Sequence, residues 1–184
     1  ELMLIGSSSR LIQVDGNDFM VEKYQLKAIE EFAPTVLIDF AFVTREHLED
    51  MSELEYRKVN EELIDQALDI FALPSVKYAM FTSSGAAVYP KDALIGKYSE
   101  NPYGFLKRRT EMLAREAAER LEKKAVVIRP WSLSGTVVTK EYEFAFSSFI
   151  KQSFGAEIHV KSSNPVSRRY VAAEDFLAVA LAKL

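Results

Sequence analysis

Tyr103 and Lys107 stand four residues apart in "NPYGFLKRR" and are this sequence's best candidates for proton chemistry. Asn101 and Pro102 directly before them are typical of a helix start, because Asn caps free backbone N–H groups and Pro suits the first helical position. Residues four apart on a helix leave it from the same face. An ammonium close to a phenol favours the phenolate, as does the positive end of a helix. We therefore predict that Tyr103 is a general acid/base working near neutral pH.

A hydroxyl, Ser84, follows the apolar run in "VKYAMFTSSGAAVY", at the point where a predicted strand ends. Ligands of a doubly wound sheet bind beyond the carboxyl ends of its strands, so this hydroxyl could hydrogen-bond a substrate oxygen alongside Tyr103. Two ordinary alternatives stay open. The serine could simply form a turn before Gly85, and the Tyr/Lys pair could lie on a solvated helix face.

Strand-like and helix-like segments alternate along the chain and would position these side chains. The predicted strands are residues 2–5, 11–14, 35–42, 76–82 and 125–130, and the predicted helices are residues 20–33, 52–72 and 102–123. The alternation indicates an α/β fold with a doubly wound, mostly parallel sheet and helices on both faces. It weakens after about residue 140. We expect a single domain, residues 1–184, in which residues 140–170 contribute to a small C-terminal substrate-binding lobe.

The composition excludes several classes of function. The chain has 184 residues, a net charge of -4 and no cysteine. A negative charge disfavours nucleic acid and anionic membranes as partners, and the lack of cysteine excludes disulfides and thiolate metal sites. No apolar run is long enough to span a bilayer, and the first residues lack the pattern of a signal peptide, so a cytoplasmic protein is expected. His47 and His159 lack ligand spacing, so no metal is expected.

Four blocks of the sequence resemble the extended short-chain dehydrogenase/reductases, in their NAD-dependent epimerase/dehydratase branch. These blocks are "VKYAMFTSSGAAVY", "NPYGFLKRRTEMLARE", "AVVIRPWSLSG" and "RRYVAAEDFLAVAL", in the family's order and at plausible spacing. The resemblance implies a Rossmann-like domain that binds NAD or NADP and a small-molecule substrate, with a nucleotide sugar as the expected substrate. Homodimers formed through two helices are common among such relatives, and residues 52–72 and 102–123 could serve.

The resemblance also assigns roles to the catalytic candidates. Ser84 would orient the substrate oxygen and Tyr103 would move the proton. Lys107 would keep the tyrosine reactive and bind the nicotinamide ribose. Asn60 falls on the family's helix asparagine, a further catalytic position, and is otherwise a polar helix residue.

Further residues fall on the family's binding positions. For the cofactor, the resemblance implies the pair that follows the family's third strand, the loop after its fourth strand, the serine beside Ser84 and the proline that ends the last predicted strand, besides Tyr103 and Lys107. These residues are Asp15, Asp18, Phe40, Ala41, Phe42, Ser83 and Pro130, and the basic residue Arg10 leans towards NADP. Ser83 is also a reserve choice for the catalytic hydroxyl. For the substrate it implies Gly85, Ser132 and Arg168, besides Ser84.

The sequence departs from the family in its phosphate loop and its substrate residues. No two of the seven glycines stand two or three residues apart, so no Gly-rich phosphate loop can be written. We expect that the first βα unit precedes Glu1 or is not represented. No carboxylate directly follows Ser84, which disfavours dehydration and leaves epimerisation or carbonyl reduction. Ser132 replaces a frequent asparagine, so a reductase of a non-sugar ketone or aldehyde and a non-catalytic dinucleotide-binding module remain alternatives.

Overall fold

The computed structural model of the chain describes residues 1–88, 98–135, 145–160, 162–165, 167 and 169–184. Two compact units are present. One comprises Glu1–Arg129 together with Leu184, and the other comprises Pro130–Lys183. The expectation of a single domain stays a prediction. Arg168 lies outside the described residues.

The first sheet of the larger unit has the order β1-β3-β2, with β1 at Leu4–Gly6, β2 at Arg10–Val14 and β3 at Asn17–Lys23. Strands β1 and β3 are parallel, whereas β2 and β3 are antiparallel and form a hairpin.

The predicted helix over residues 20–33 is wrong in its first part. Asp15 and Gly16 form the two-residue turn of the hairpin, both with positive φ (49° and 77°), and this turn sends the chain back as β3. Asp-Gly is a favoured pair for this turn, because Gly adopts positive φ at no steric cost and Asp tolerates it. Helix α1 therefore begins only at Leu26 and ends at Phe32.

A second sheet carries three parallel strands in the order β4-β5-β6: β4 is Val36–Asp39, β5 is Tyr78–Thr82 and β6 is Lys124–Ile128. In the observed register Asp39 lies opposite Phe81, and Thr82 lies opposite Ile128. All three strands therefore end at one edge of the sheet. The predicted strand over residues 35–42 stops at Asp39, so residues 40–42 leave the sheet as a loop.

Two twenty-residue helices follow the predicted pattern closely. Helix α2 spans Glu53–Ala72 and begins with a capping box, in which Ser52 Oγ accepts a hydrogen bond from the Glu55 N–H and the Glu55 side chain accepts one from the Ser52 N–H. Helix α3 spans Pro102–Leu121, and the side chain of Asn101 caps it by accepting from the Gly104 N–H at 2.8 Å. These caps fix the residue at which each helix starts. The starting residue determines where each later side chain lies along the helix axis.

The core of the larger unit joins α1, α2 and α3 to one face of β5. Ala79 and Phe81 project from that face and are almost completely buried, and the rings of Phe71 and Phe81 meet edge to face at 5.6 Å. Such a ring pair contributes about 0.5–1.5 kcal/mol beyond the burial of its apolar area. Ala114 and Ala117 bring α3 close to the sheet because their side chains are small. The packing holds the start of α3 near the carboxyl end of β5.

The smaller unit holds a two-stranded parallel sheet and two helices. Its elements are β7 (Leu133–Ser134), α4 (Ala145–Gln152), β8 (Val171–Ala172) and α5 (Ala173–Leu181). The larger unit also contains 3-10 helices at Arg45–Glu49, Gly85–Ala87 and Tyr98–Glu100.

The parallel sheet β4-β5-β6 with flanking helices confirms the expected α/β, Rossmann-like fold class. Within the described part of the chain, none of the helices is both apolar and long enough to cross a bilayer.

Candidate active site

Lys107 is buried in the first turns of α3, with only 5% of its surface exposed. Its Nζ donates a hydrogen bond to the carbonyl oxygen of Thr82, the last residue of β5, at 2.8 Å. The same Nζ lies 3.7 Å from the centroid of the Phe42 ring, within the range of a cation–π interaction. The ammonium is thus held between the end of β5 and the loop that follows β4.

Tyr103 lies one helical turn before Lys107 and is half-buried. Its ring meets the ring of Phe42 edge to face, with centroids 5.5 Å apart. Phe42 therefore contacts both members of the Tyr/Lys pair. The structure thus brings these three residues together, and the catalytic roles of Tyr103 and Lys107 and the cofactor-binding role of Phe42 stay predictions.

The carboxylate of Asp39, at the end of β4, acts electrostatically on Lys107. Burial raises the pKa of Asp39 to about 6, although the hydrogen bond from the Ala41 N–H and the charge of Lys107 act in the opposite direction. Burial also lowers the pKa of Lys107 to about 8, and the charge of Asp39 partly offsets this. Each group makes the charged form of the other less costly.

The two adjacent serines have different environments. Ser83 is 2% exposed and donates a hydrogen bond to Glu111 Oε1 at 2.5 Å. Ser84 is half-buried, and its Oγ accepts from the Ala86 N–H at 3.2 Å, which leaves its proton available for a ligand. The short helix Gly85–Ala87, which begins after Ser84, packs against α3. Ser84 is therefore better placed than Ser83 for a catalytic role, and Ser83 is committed to the protein interior.

Glu111 is the centre of a buried polar cluster beneath the serines. Arg129 forms two hydrogen bonds to its carboxylate, one from Nε at 2.6 Å and one from Nη2, and Arg108 adds a third at 3.0 Å. Burial alone would raise the pKa of Glu111, but the hydrogen bonds from Arg129 and Ser83 hold it below its ordinary value. The cluster ties α3, the end of β6 and the segment after β5 into one rigid unit.

Asn60 of α2 is fully buried and binds backbone. Its Oδ1 accepts from the Val43 N–H at 2.9 Å, and its Nδ2 donates to the carbonyl oxygens of Val43 and Tyr56 at 3.2 and 3.0 Å. These contacts fix the loop that carries Phe42. The observed role of Asn60 is to position this loop, and the catalytic role implied by the family resemblance stays a prediction.

Asp15, Asp18 and Arg10, which the resemblance assigns to the cofactor, are not brought to one place. Strand β2 runs antiparallel to β3, so Asp15 in the hairpin turn and Asp18 at the start of β3 lie at the sheet edge opposite the carboxyl ends of β1 and β3. Both are exposed, and Asp18 Oδ1 accepts a hydrogen bond from Gln13. Arg10, in contrast, lies with its guanidinium close to Gly6 at the carboxyl end of β1.

The other assigned residues are placed as follows. Phe40 and Ala41 are exposed in the loop after β4, and Gly85 is buried. In the smaller unit, Pro130 and Ser132 are half-buried, and the Ser132 carbonyl oxygen accepts from the Val171 N–H at 3.2 Å.

Among the described residues, Lys107 and Tyr103 fit the nicotinamide end of a dinucleotide. The buried ammonium of Lys107 and the phenol of Tyr103 are the polar groups that could bind a ribose there.

A cavity of about 120 Å³ lies beside α1, lined by Ser9, Lys23 and neighbouring side chains, but typical ligand pockets exceed about 300 Å³. Among the described residues, no group of three or more acidic or histidine side chains could hold a metal ion.

Sequence reasoning missed Asp39 and the carbonyl of Thr82 as parts of this site. Asp39 stood inside the apolar run "TVLIDFAF", where a charged residue in a predicted buried strand was the available signal. No side-chain signal marks a backbone carbonyl, so the contribution of Thr82 emerges only from the structure.

Three solved structures illustrate the similarity of this fold to known enzymes. UDP-glucose 4-epimerase from Thermotoga maritima, with UDP-glucose, gives a TM-score of 0.69 at 20% identity over 92% of this chain and 60% of that one. UDP-N-acetylglucosamine 4-epimerase from Methanobrevibacter ruminantium, in complex with UDP-N-acetylmuramic acid, gives 0.69 at 16% identity over 89% and 57%. A GDP-L-fucose synthetase from Naegleria fowleri, bound to NADP, gives 0.65 at 19% identity over 85% and 57%.

At these identities the likeness shows the fold, and the chain spans about 60% of the length of the structures that it matches. No curated protein sequence matches the chain. A sequence model of the NAD dependent epimerase/dehydratase family, however, matches residues 10–184. This chain therefore belongs to the NAD-dependent epimerase/dehydratase family.

Proposed function

We propose that this protein is an NAD(P)-dependent epimerase or reductase that acts on a nucleotide-linked sugar. The observation that carries the proposal is the placement of Tyr103 and Lys107 on one face of α3, with Lys107 fastened to the end of β5 directly before the two serines. Membership of the family and the nucleotide sugars and NADP named with the similar structures support it.

Each of the three side chains has a distinct task in the proposed reaction. The hydroxyl of Ser84 donates a hydrogen bond to the substrate oxygen and orients it. Tyr103 gives its phenolic proton to that oxygen or removes a proton from it. Lys107 carries its positive charge on the helix face that it shares with Tyr103 and, together with the tyrosine hydroxyl, would hold the nicotinamide ribose. NAD(P), when bound, supplies the hydride acceptor and donor.

The residues after Ser84 favour epimerisation or reduction over dehydration. Gly85, Ala86 and Ala87 carry no carboxylate that could remove a carbon-bound proton during loss of water. A general acid/base and a hydride carrier are sufficient for an epimerase or a carbonyl reductase. The proposed enzyme is cytoplasmic and forms a homodimer.

A second candidate, a dinucleotide-binding module without turnover, is favoured by one observation. No glycine pair in the sequence has the spacing of a phosphate-binding loop, so the usual close approach of the pyrophosphate to backbone N–H groups has no counterpart here. A reductase of non-sugar carbonyls is a variant of the first proposal, with the same roles for Ser84 and Tyr103.

The test combines binding and turnover with the whole chain. Thermal shifts are measured with NAD, NADP and their reduced forms, and then with UDP-, GDP- and dTDP-sugars, because a ligand of the native state stabilises it by RT ln(1 + [L]/Kd). Each sugar that binds is incubated with the cofactor, and the products are separated by chromatography. Formation of an epimer or a reduced sugar is the expected result. Cofactor binding without turnover of any sugar or simple carbonyl would favour the binding module instead.

A further inference from the structure

Lys107 lacks a direct ion pair in the described part of the structure, although its ammonium is buried. The acceptors in contact with it are the neutral carbonyl oxygen of Thr82 and the face of the Phe42 ring. A buried ammonium without a negative charge nearby readily loses its proton, because burial disfavours the charged form. A deprotonated Lys107 would no longer carry a positive charge on the helix face that it shares with Tyr103.

The carboxylate of Asp39 is placed to supply the missing charge. Asp39 ends β4, and its Cα is paired with that of Phe81, the residue before Thr82 on β5. The carbonyl oxygen of Thr82 is the hydrogen-bond acceptor of Lys107, so Asp39 and Lys107 Nζ both lie at the carboxyl edge of the sheet, at the ends of neighbouring strands.

We infer that Asp39 is a positioning residue whose carboxylate keeps Lys107 protonated in its place between Thr82 and Phe42. The inference deepens the proposed function and rests on it in one respect, since the charge of Lys107 matters for turnover only if Tyr103 and Lys107 perform the chemistry. The family resemblance assigns no role to Asp39.

The electrostatics of the pair agree with this geometry. The pKa of Asp39 lies at about 6 and that of Lys107 at about 8, both displaced by burial, and each is partly restored by the charge of the other. In the part of the chain that the structure describes, Lys107 of α3 is the charged group that acts on Asp39, while β5 contributes the uncharged Thr82 and α2 the uncharged Asn60. Each charge thus favours the ionised form of the other group.

A purely structural role for Asp39 is the alternative, and it can be separated by substitution. Asp39 Oδ1 accepts a hydrogen bond from the Ala41 N–H at 3.0 Å, which stabilises the turn out of β4. The side-chain amide oxygen of Asn can accept the same hydrogen bond without carrying a charge. Asp39→Asn therefore keeps the turn and removes the electrostatic partner of Lys107. Asp65→Asn, at an exposed position of α2, makes the same change of charge elsewhere.

The test follows the ammonium of Lys107 directly. The chain is labelled with ¹³Cε-lysine, the Lys107 resonance is assigned with Lys107→Arg, and its chemical shift is recorded against pH for the wild type, Asp39→Asn and Asp65→Asn. The midpoint of Lys107 should fall by roughly one pH unit in Asp39→Asn and stay unchanged in Asp65→Asn. In activity assays, the alkaline limb of the kcat profile should move down by the same amount, with KM for the sugar little changed. An unmoved Lys107 midpoint in Asp39→Asn would overturn the inference.

The wild type alone gives a second measurement should Asp39→Asn fail to fold. The Lys107 resonance must then show an additional inflection at the pH where the Asp39 carboxyl titrates, near 6, and its absence would equally overturn the inference. The resonance does not depend on turnover. Coupling without activity would therefore count against the proposed function alone, and activity without coupling against the role of Asp39 alone.

Discussion

The Nζ of Lys107 and the carbonyl oxygen of Thr82 are joined by a 2.8 Å hydrogen bond between the start of α3 and the end of β5. A lysine has four rotatable side-chain bonds, and this bond together with the Phe42 ring restricts them. The helix face that also carries Tyr103 is thereby fixed at the carboxyl edge of the sheet. An acid/base residue is effective only when it is held within reach of the substrate oxygen. The contact between Lys107 and Thr82 therefore stabilises the position in which Tyr103 could act.

Tyr103→Phe should abolish most turnover and leave cofactor binding within a few-fold of the wild type. The substitution removes the hydroxyl that transfers the proton but keeps the ring that packs on Phe42. Loss of a general acid/base costs roughly 10²–10⁴-fold in kcat. Turnover is measured by product chromatography and binding by NADH or NADPH fluorescence. Tyr78→Phe, at the opposite end of β5, is the matched control and should retain full activity. Turnover retained in Tyr103→Phe would reject the assigned role.

Ser83→Ala should mainly lower the stability of the protein, whereas Ser84→Ala should mainly lower its activity. Ser83 donates to the buried Glu111, so its loss leaves part of a carboxylate unsatisfied and should lower the free energy of unfolding by about 1–3 kcal/mol. Ser84 accepts a single hydrogen bond from the Ala86 N–H, so its loss should change stability little but lower kcat by about 10²-fold. Urea unfolding and initial rates measure the two quantities. The reverse pattern would make Ser83 the catalytic hydroxyl.

Glu111→Ala should destabilise the larger unit. The carboxylate is 2% exposed and accepts hydrogen bonds from the buried Ser83 and from Arg129 and Arg108, whose side chains are 36% and 30% exposed. Its removal leaves the buried Ser83 hydroxyl without its acceptor, which costs about 1–3 kcal/mol, whereas water can hydrate the partly exposed guanidinium groups. Glu116→Ala, exposed on the same helix, is the control and should change the free energy of unfolding by less than about 0.5 kcal/mol. Similar urea midpoints for the two variants would contradict the importance of the cluster.

Asn60→Ala should loosen the loop that carries Phe42. The buried amide holds the N–H and the carbonyl of Val43, and an unsatisfied buried backbone group costs about 1–3 kcal/mol. We expect a loss of about that size in urea unfolding, together with faster hydrogen exchange of the Val43 amide. Gln66→Ala on the same helix serves as the control. Unchanged exchange at Val43 would show that the loop is held by other contacts.

Local signals sufficed for the long helices and for the pair that defines the site. Asn101 and Pro102 marked the start of α3, and the four-residue spacing then placed Tyr103 and Lys107 on one face. The predicted helix over residues 20–33 is wrong where β3 forms, because the apolar residues after Asp15-Gly16 also fit a helical period. The Asp-Gly pair itself is a strong hairpin signal. The helix and strand interpretations differ in whether residues 17–23 pair with other strands, and the pairing of β3 with β1 joins strands that are not adjacent along the chain.

The interactions around Asp39, Phe42 and Lys107 could not be derived from the sequence because they depend on strand order and register. The parallel pairing of β4 with β5 brings the end of one strand beside that of the other, although about 40 residues separate them along the chain. Family resemblance pointed to residues 40–42 as a cofactor loop. It did not indicate that Phe42 covers the lysine or that Asp39 provides its counter-charge.

Asp39→Asn should stabilise the protein relative to the wild type by an amount that grows as the pH rises from about 4 to 7. Because the pKa of Asp39 is raised to about 6 in the native state, that state retains a proton that the unfolded chain has lost at about pH 4 to 6. The free energy of unfolding of the wild type therefore falls through this range, by up to about 3 kcal/mol from this group. The variant lacks that loss, whereas the other carboxylates are common to both proteins and cancel in the difference. Urea unfolding at both ends of the range measures it, with Asp65→Asn as the control for the change of charge. If the stability difference for Asp39→Asn did not change with pH, the carboxyl of Asp39 would titrate in the native state as it does in the unfolded chain. Burial at the end of β4 would then not raise the pKa of Asp39, and the ionised carboxylate would carry no energetic cost that a functional role has to offset.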